Sequence, residues 1–127
     1  MNNVIVITAF AKIQRTYDRH LWIWKRHGVP LVVFTGSQSP VDARGEKTIC
    51  LPYHFKSGPA ASGRMIGILD WFSNSEFDGA MLCEYDSFCL EKEFVIPNGL
   101  HGSVAPNSEP GRFYSPRYVG CPWRLDR

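Results

Sequence analysis

Glu84 and Asp86 flank Tyr85 directly after the apolar run Gly79-Ala80-Met81-Leu82-Cys83. In an extended backbone, residues two apart point to the same side. Just past a strand end, both carboxylates can therefore face one ion. Hard cations such as Mg²⁺ and Mn²⁺ take oxygen ligands, and Mg²⁺ is typically held by one or two carboxylates plus substrate phosphates. Such an ion neutralises a diphosphate and makes it a better leaving group. Two solvated acids at a strand end are the plainer alternative. What separates the two is where the rest of the chain puts this segment.

Val4 to Thr8 is a run of mostly β-branched residues without polar alternation, the pattern of a strand buried on both faces. A helix is predicted over Lys12 to His27. Ile13, Tyr17, Leu21 and Trp24 recur at helical steps on one face, with Lys12, Arg15, Arg19 and Arg26 largely off it. Gly28 and Pro30 stop that helix. Leu31 to Phe34 reads as a second buried strand, residues 36 to 46 as a loop, and Lys47 to Leu51 as a third strand. Pro59 suits a first helical turn, and Ala61, Met65, Ile68, Leu69 and Phe72 form the stripe of a second helix ending at Ser73-Asn74-Ser75. Gly79 to Cys83 is the fourth strand.

The order β-α-β-β-α-β with apolar strands predicts an α/β fold, a Rossmann-like three-layer sandwich with a mostly parallel central sheet. Ligands of such sheets bind outside the carboxyl ends of the strands. The loops after residues 8, 35 and 85 would then share one rim, and Glu84 and Asp86 would lie on it. Asp70 and Asp78 would lie in or after a helix at the far end of the fourth strand. That placement argues against a two-metal phosphohydrolase or nucleotidyltransferase, which needs more carboxylates around its ions. Beyond residue 90 the pattern weakens. Residues 97 to 111 hold three prolines and three glycines and read as mostly loop. Phe113 to Val119 reads as an edge strand interrupted by Pro116, and residues 121 to 127 as a tail. His101, Glu109 and Asp126 are carboxylates or imidazoles with nothing to single one out as a base.

The 127 residues suit a single domain with a real core, loop-rich from 90 to 127. A net charge of +2, from 14 basic and 12 acidic residues, is too small to indicate nucleic acid. Arg112, Arg117, Arg124 and Arg127 read as a solvated basic tail, with phosphate contact as the alternative. The four cysteines, at 50, 83, 89 and 121, form no Cys-x-x-Cys pair. Cys50 and Cys83 fall in apolar runs, where free cysteine acts as a small hydrophobe. That usage, a start without a basic region and long apolar stretch, and the absence of any membrane-length apolar run lead to the expectation of a cytoplasmic protein without a transmembrane segment.

Strand, helix, strand, loop, helix, then a strand ending in acid-x-acid resembles the nucleotide-binding half of GT-A-type glycosyltransferases. Glu84-Tyr85-Asp86 is similar to the Glu-x-Asp variant of that superfamily's Asp-x-Asp motif. The resemblance covers roughly residues 3 to 90. It implies that Asp86 contacts Mn²⁺ or Mg²⁺ and the diphosphate directly, and that Glu84 lies near the ribose or reaches the metal through water. Lys56-Ser57-Gly58-Pro59-Ala60-Ala61-Ser62-Gly63-Arg64 looks like the small-residue turn that opens a helix under the nucleotide. A helix N-terminus attracts anions, so Lys56, Gly58 and Arg64 would meet phosphate. Thr8-Ala9-Phe10 matches the loop that lines the nucleobase pocket, where Phe10 would stack on the base or join the core.

The sequence departs from the family in two places. Thr35-Gly36-Ser37 is neutral where family members often carry an acid, with Asp42 coming several residues later. The acceptor-binding half has no evident counterpart. The function expected from the resemblance is metal-dependent transfer of a hexosyl or related sugar from a UDP- or GDP-linked donor. The competing expectation is a non-catalytic α/β binding or assembly module lacking an acceptor site, with a second copy of the chain as a candidate partner in a homo-oligomer. It is motivated by Trp22, which lies beside the buried stripe of the first helix and suits a protein interface.

Overall fold

The computed structural model describes residues 2–52, 59–85, 104–105, 117–118 and 123–126. Strands β1 (Asn3–Thr8), β2 (Leu31–Gly36), β3 (Lys47–Leu51) and β4 (Gly79–Glu84) lie parallel in one sheet. A fifth strand, β7 (Trp123–Asp126), pairs antiparallel with β4, giving the order β3-β2-β1-β4-β7. Helix α1 (Gln14–Lys25), preceded by a 3-10 turn over Ala11–Ile13, joins β1 to β2. Helix α2 (Pro59–Ser73) joins β3 to β4. β5 (Val104–Ala105) and β6 (Arg117–Tyr118) form a separate antiparallel pair.

Alternation along the strands divides the core into two layers. Ile5, Ile7, Leu31, Val33 and Cys83 pack with Tyr17 and Trp24 of α1. Val4, Val6, Val32, Phe34, Ala80 and Leu82 pack with Ile68 and Phe72 of α2. The helices therefore cover opposite faces of an α/β sandwich. This explains why β1, β2 and β4 read as uninterrupted apolar runs. Burial of both faces leaves no position for a polar alternate. α1 ends where expected: Gly28 takes the left-handed conformation at φ 67°, and its amide caps the Lys25 carbonyl at 3.1 Å.

Three sequence expectations are corrected. The segment expected as a tail contains β7, with Leu125 against the α2-side core. Leu69 is 43% exposed, and the partly buried residue beside Ile68 and Phe72 is Trp71, whose indole meets Phe34 edge-on at 5.4 Å. Cys50 is exposed on the sheet's outermost strand, whereas Cys83 is buried.

α2 passes very close to β3. A Cβ at Gly67 would stand 2.8 Å from Leu51 Cδ1. The chain enters α2 after the carboxyl end of β3 and leaves it before the amino end of β4, so α2 runs against the strands. Its first residues lie at the rim where the parallel strands end.

Candidate functional site

The chain order fixes where the rim opens. From β1 the chain moves through α1 to β2 and on to β3, then returns through α2 to β4 on the other side of β1. Strand order reverses between β1 and β4: α1, which follows β1, covers one face, and α2, which precedes β4, covers the other. Such a topological switch point forms a crevice at the strand carboxyl ends, the place where open α/β sheets bind ligands.

Thr8 and Glu84 are register partners at that point, the last residues of β1 and β4. Val4 and Val6, like Ala80 and Leu82, face α2, so the two-residue period puts Thr8 and Glu84 on the same face. Thr8 is nearly buried and Glu84 half-buried. Phe10 is partly buried against the α2-side core, and its ring meets that of Tyr85 edge-to-face, centroids 6.2 Å apart at 85°. A hydroxyl, a carboxylate and two aromatic rings thus gather at one end of two adjacent strands. Ala9, between them, turns to the α1 side and is fully buried, and its amide donates to the Phe34 carbonyl at 3.0 Å. Ala9 shapes the rim through its backbone.

His20 of α1 joins this group, and the sequence analysis did not mark it. Its Nδ1 lies 2.7 Å from the Tyr85 carbonyl. A carbonyl only accepts, so Nδ1 carries the proton and donates. The ring also meets Trp24 edge-on at 6.1 Å. The first residue after β4 is therefore tied to the helix that follows β1. The available signal was position: His20 stands four residues before Trp24, at the margin of the buried stripe.

The loop after β2 is closed by its own contacts. Thr35 Oγ1 accepts from the Val41 amide at 2.9 Å, and the Ala11 amide donates to the Ser39 carbonyl at 2.9 Å. Gln14 clasps the backbone of Asp42, donating to its carbonyl at 2.9 Å and accepting from its amide at 2.8 Å. Arg44, in the left-handed region at φ 55°, bridges Asp18 and Asp42, each at 3.0 Å. The hydrogen bonds from the Arg44 guanidinium, then that from Gln14, hold the Asp18 carboxyl below its usual range. Asp42, the acid nearest the neutral Thr35-Gly36-Ser37, is thus engaged in bracing this loop.

Arg64 lies on α2 about one turn before Gly67, which is level with Leu51 at the end of β3. It stands toward the rim, over the edge strand. β3 and β4 are three strand spacings apart, about 14 Å. Lys56, Gly58 and Asp86 lie outside the described residues, as do His101 and Glu109. Asp70 lines a groove of about 580 Å³ with Lys47, Trp71, Asn74 and Phe77. That groove runs between β3 and the end of α2, away from the switch point, as expected for Asp70.

The oxygen donors described at the rim are the Glu84 carboxylate and the Thr8 hydroxyl. Among the described residues, no three His, Cys, Asp or Glu side chains group as a metal cage. Comparison of the chain with family models, with curated proteins and with solved structures finds no match. Among the described residues no helix is long and apolar enough to cross a membrane.

Proposed function

We propose that this protein is a GT-A-like, metal-dependent glycosyltransferase that binds a UDP- or GDP-linked sugar at the β1–β4 switch point. The observation that carries the proposal is the pairing of Glu84 with Thr8 at the carboxyl ends of the two strands where the strand order reverses. Asp86 would be the direct oxygen ligand for Mn²⁺ or Mg²⁺, and Glu84 would reach the ion through water or lie near the ribose. The ion, when bound, neutralises the diphosphate so that it leaves more easily. Phe10 and Tyr85, already in edge-to-face contact, form one aromatic wall beside the nucleoside, with Thr8 beneath it. Lys56 and Gly58, which precede α2 in the sequence, serve the phosphates together with the helix N-terminus, whose dipole favours anions. Arg64, one turn further in and nearer the edge strand, meets the outer part of the ligand. His20 holds the Tyr85 carbonyl and so sets the direction in which the acidic segment leaves the strand.

The test is release of UDP or GDP from a panel of sugar nucleotides with Mn²⁺ present. Release that is lost on chelation and in Asp86→Asn supports the proposal. Release unaffected by Asp86→Asn contradicts it. A second reading, a binding module without transfer, is favoured by the exposure of Trp22 at 62%. It is the non-catalytic binding or assembly module, and it predicts self-association or a partner complex by size-exclusion measurement with no sugar released from any donor.

A further inference from the structure

The outer face of α1 carries a line of cations around one aromatic residue. Arg15, Arg19, Trp22 and Arg26 are all exposed. At 3.6 residues per turn they fall within an arc of about 60°. That arc is opposite Tyr17 and Trp24, which anchor the helix to the sheet. Lys12, exposed in the preceding 3-10 turn, prolongs the line toward the rim. No acid falls within this arc of α1. Among the described residues beside it, Asp18 is held by Arg44 at 3.0 Å and Glu46 by Lys25 at 2.6 Å. Trp22 is 62% exposed on this ridge although α1 already buries a tyrosine and a tryptophan on its other side.

We propose that this ridge docks the protein on an anionic lipid bilayer. Arginine and lysine beside an anionic surface gain from its negative potential. Tryptophan prefers the boundary between headgroups and acyl chains, where its ring is sheltered and its N–H stays hydrated. The apolar face of α1 stays on the sheet, so the bilayer meets only the outer ridge, whose cations and single tryptophan suit the headgroup plane. The shape favours a flat partner over a nucleic acid. α1 lies along the sheet with Asp18 and Asp42 on one shoulder, joined through Arg44. A strand of phosphates wrapping the helix would meet those carboxylates, whereas a plane touches the ridge alone. The surface rests on α1 by itself and does not depend on the nucleotide-sugar proposal. Its consequence for the rim is spatial: Lys12 follows Phe10 by two residues, so docking brings the rim within reach of the headgroup layer.

Co-sedimentation of the full chain with phosphatidylcholine vesicles, with and without phosphatidylglycerol, tests this. Expected is binding to the anionic vesicles alone, weakening as salt rises. The triple variant Lys12→Gln, Arg15→Gln, Arg19→Gln should lose affinity about a hundredfold, and Trp22→Ala should lose affinity with the charges intact. All four positions are exposed, so the variants should keep the wild-type circular dichroism and urea midpoint. Absence of vesicle binding at low salt overturns the proposal. So does equal binding to neutral vesicles, undiminished binding by the triple variant, or binding of RNA in preference to vesicles.

Discussion

Replacing Tyr17 by phenylalanine isolates one buried hydrogen bond that joins α1 to the loop after β2. Tyr17 is fully buried, and its hydroxyl donates to the Ala43 carbonyl at 2.8 Å. Phenylalanine keeps the ring and its contact with Trp24, centroids 5.8 Å apart. What goes is one of the two donors to that carbonyl, which still accepts from the Glu46 amide at 3.2 Å. Losing one net buried hydrogen bond costs about 0.5 to 1.5 kcal/mol. For 127 residues that lowers Tm by about 2 to 6 °C. The pH dependence is a second, independent signature. Burial, followed by the charges of Glu46, Asp18 and Asp42, raises the Tyr17 pKa far above that of a free phenol. A pKa raised in the folded state gives stability that is complete below the unfolded value and is lost as pH climbs toward the folded one. The wild type should therefore lose stability relative to Tyr17→Phe above about pH 10, by up to about 1.4 kcal/mol per pH unit. Urea unfolding of both proteins, followed by far-UV circular dichroism at neutral and alkaline pH, gives both quantities. A cost at neutral pH below about 0.5 kcal/mol, or a difference that stays constant through the alkaline range, would refute the reasoning.

Three further outcomes follow from other contacts. Arg44→Gly should unfold later in urea than Arg44→Ala, because both lose the bridges to Asp18 and Asp42 while only glycine accepts φ 55° without strain. In the wild type, the depressed Asp18 pKa adds stability that is present above the ordinary carboxylate range and lost as pH falls below it. This acid-side loss should be smaller in Arg44→Gly. Leu125→Ala should cost about 1 to 2 kcal/mol by chemical denaturation, less than a fully buried leucine, because Leu125 only partly joins the α2-side core.

The parts of the fold visible in the sequence are those where burial leaves a single pattern. β1, β2 and β4 lie between two helices, and their unbroken apolar runs say so. α1 has one apolar stripe, so its buried face was readable from Ile13, Tyr17, Leu21 and Trp24. α2 is apolar nearly all round, with Ile66 and Leu69 exposed. Its period therefore did not distinguish Leu69 from Trp71. β7 alternates Trp123, Arg124, Leu125, Asp126 over only four residues, and its partner β4 lies far back in the chain. A strand that short draws its stability from pairing, which no local pattern records.

The same distinction applies to the rim. Glu84 could be placed because a strand end is a local feature and the parallel order locates the carboxyl edge. His20 could not, because its partner is a backbone carbonyl 65 residues away, and carbonyls carry no sequence signature. The bracing of Asp42 by Gln14 and Arg44 was hidden for a similar reason. It depends on the left-handed turn at Arg44 bringing the loop back onto α1.

Thermal unfolding with and without Mn²⁺ and UDP or GDP tests the central proposal most directly, in the wild type and in Asp86→Ala. At a hundredfold excess over the dissociation constant, binding adds about 2.7 kcal/mol, or about 10 °C for a chain of this length. The proposal predicts that shift for one of the two nucleotides, its dependence on Mn²⁺, and its loss in Asp86→Ala. No shift with either nucleotide, or an equal shift in Asp86→Ala, would contradict it.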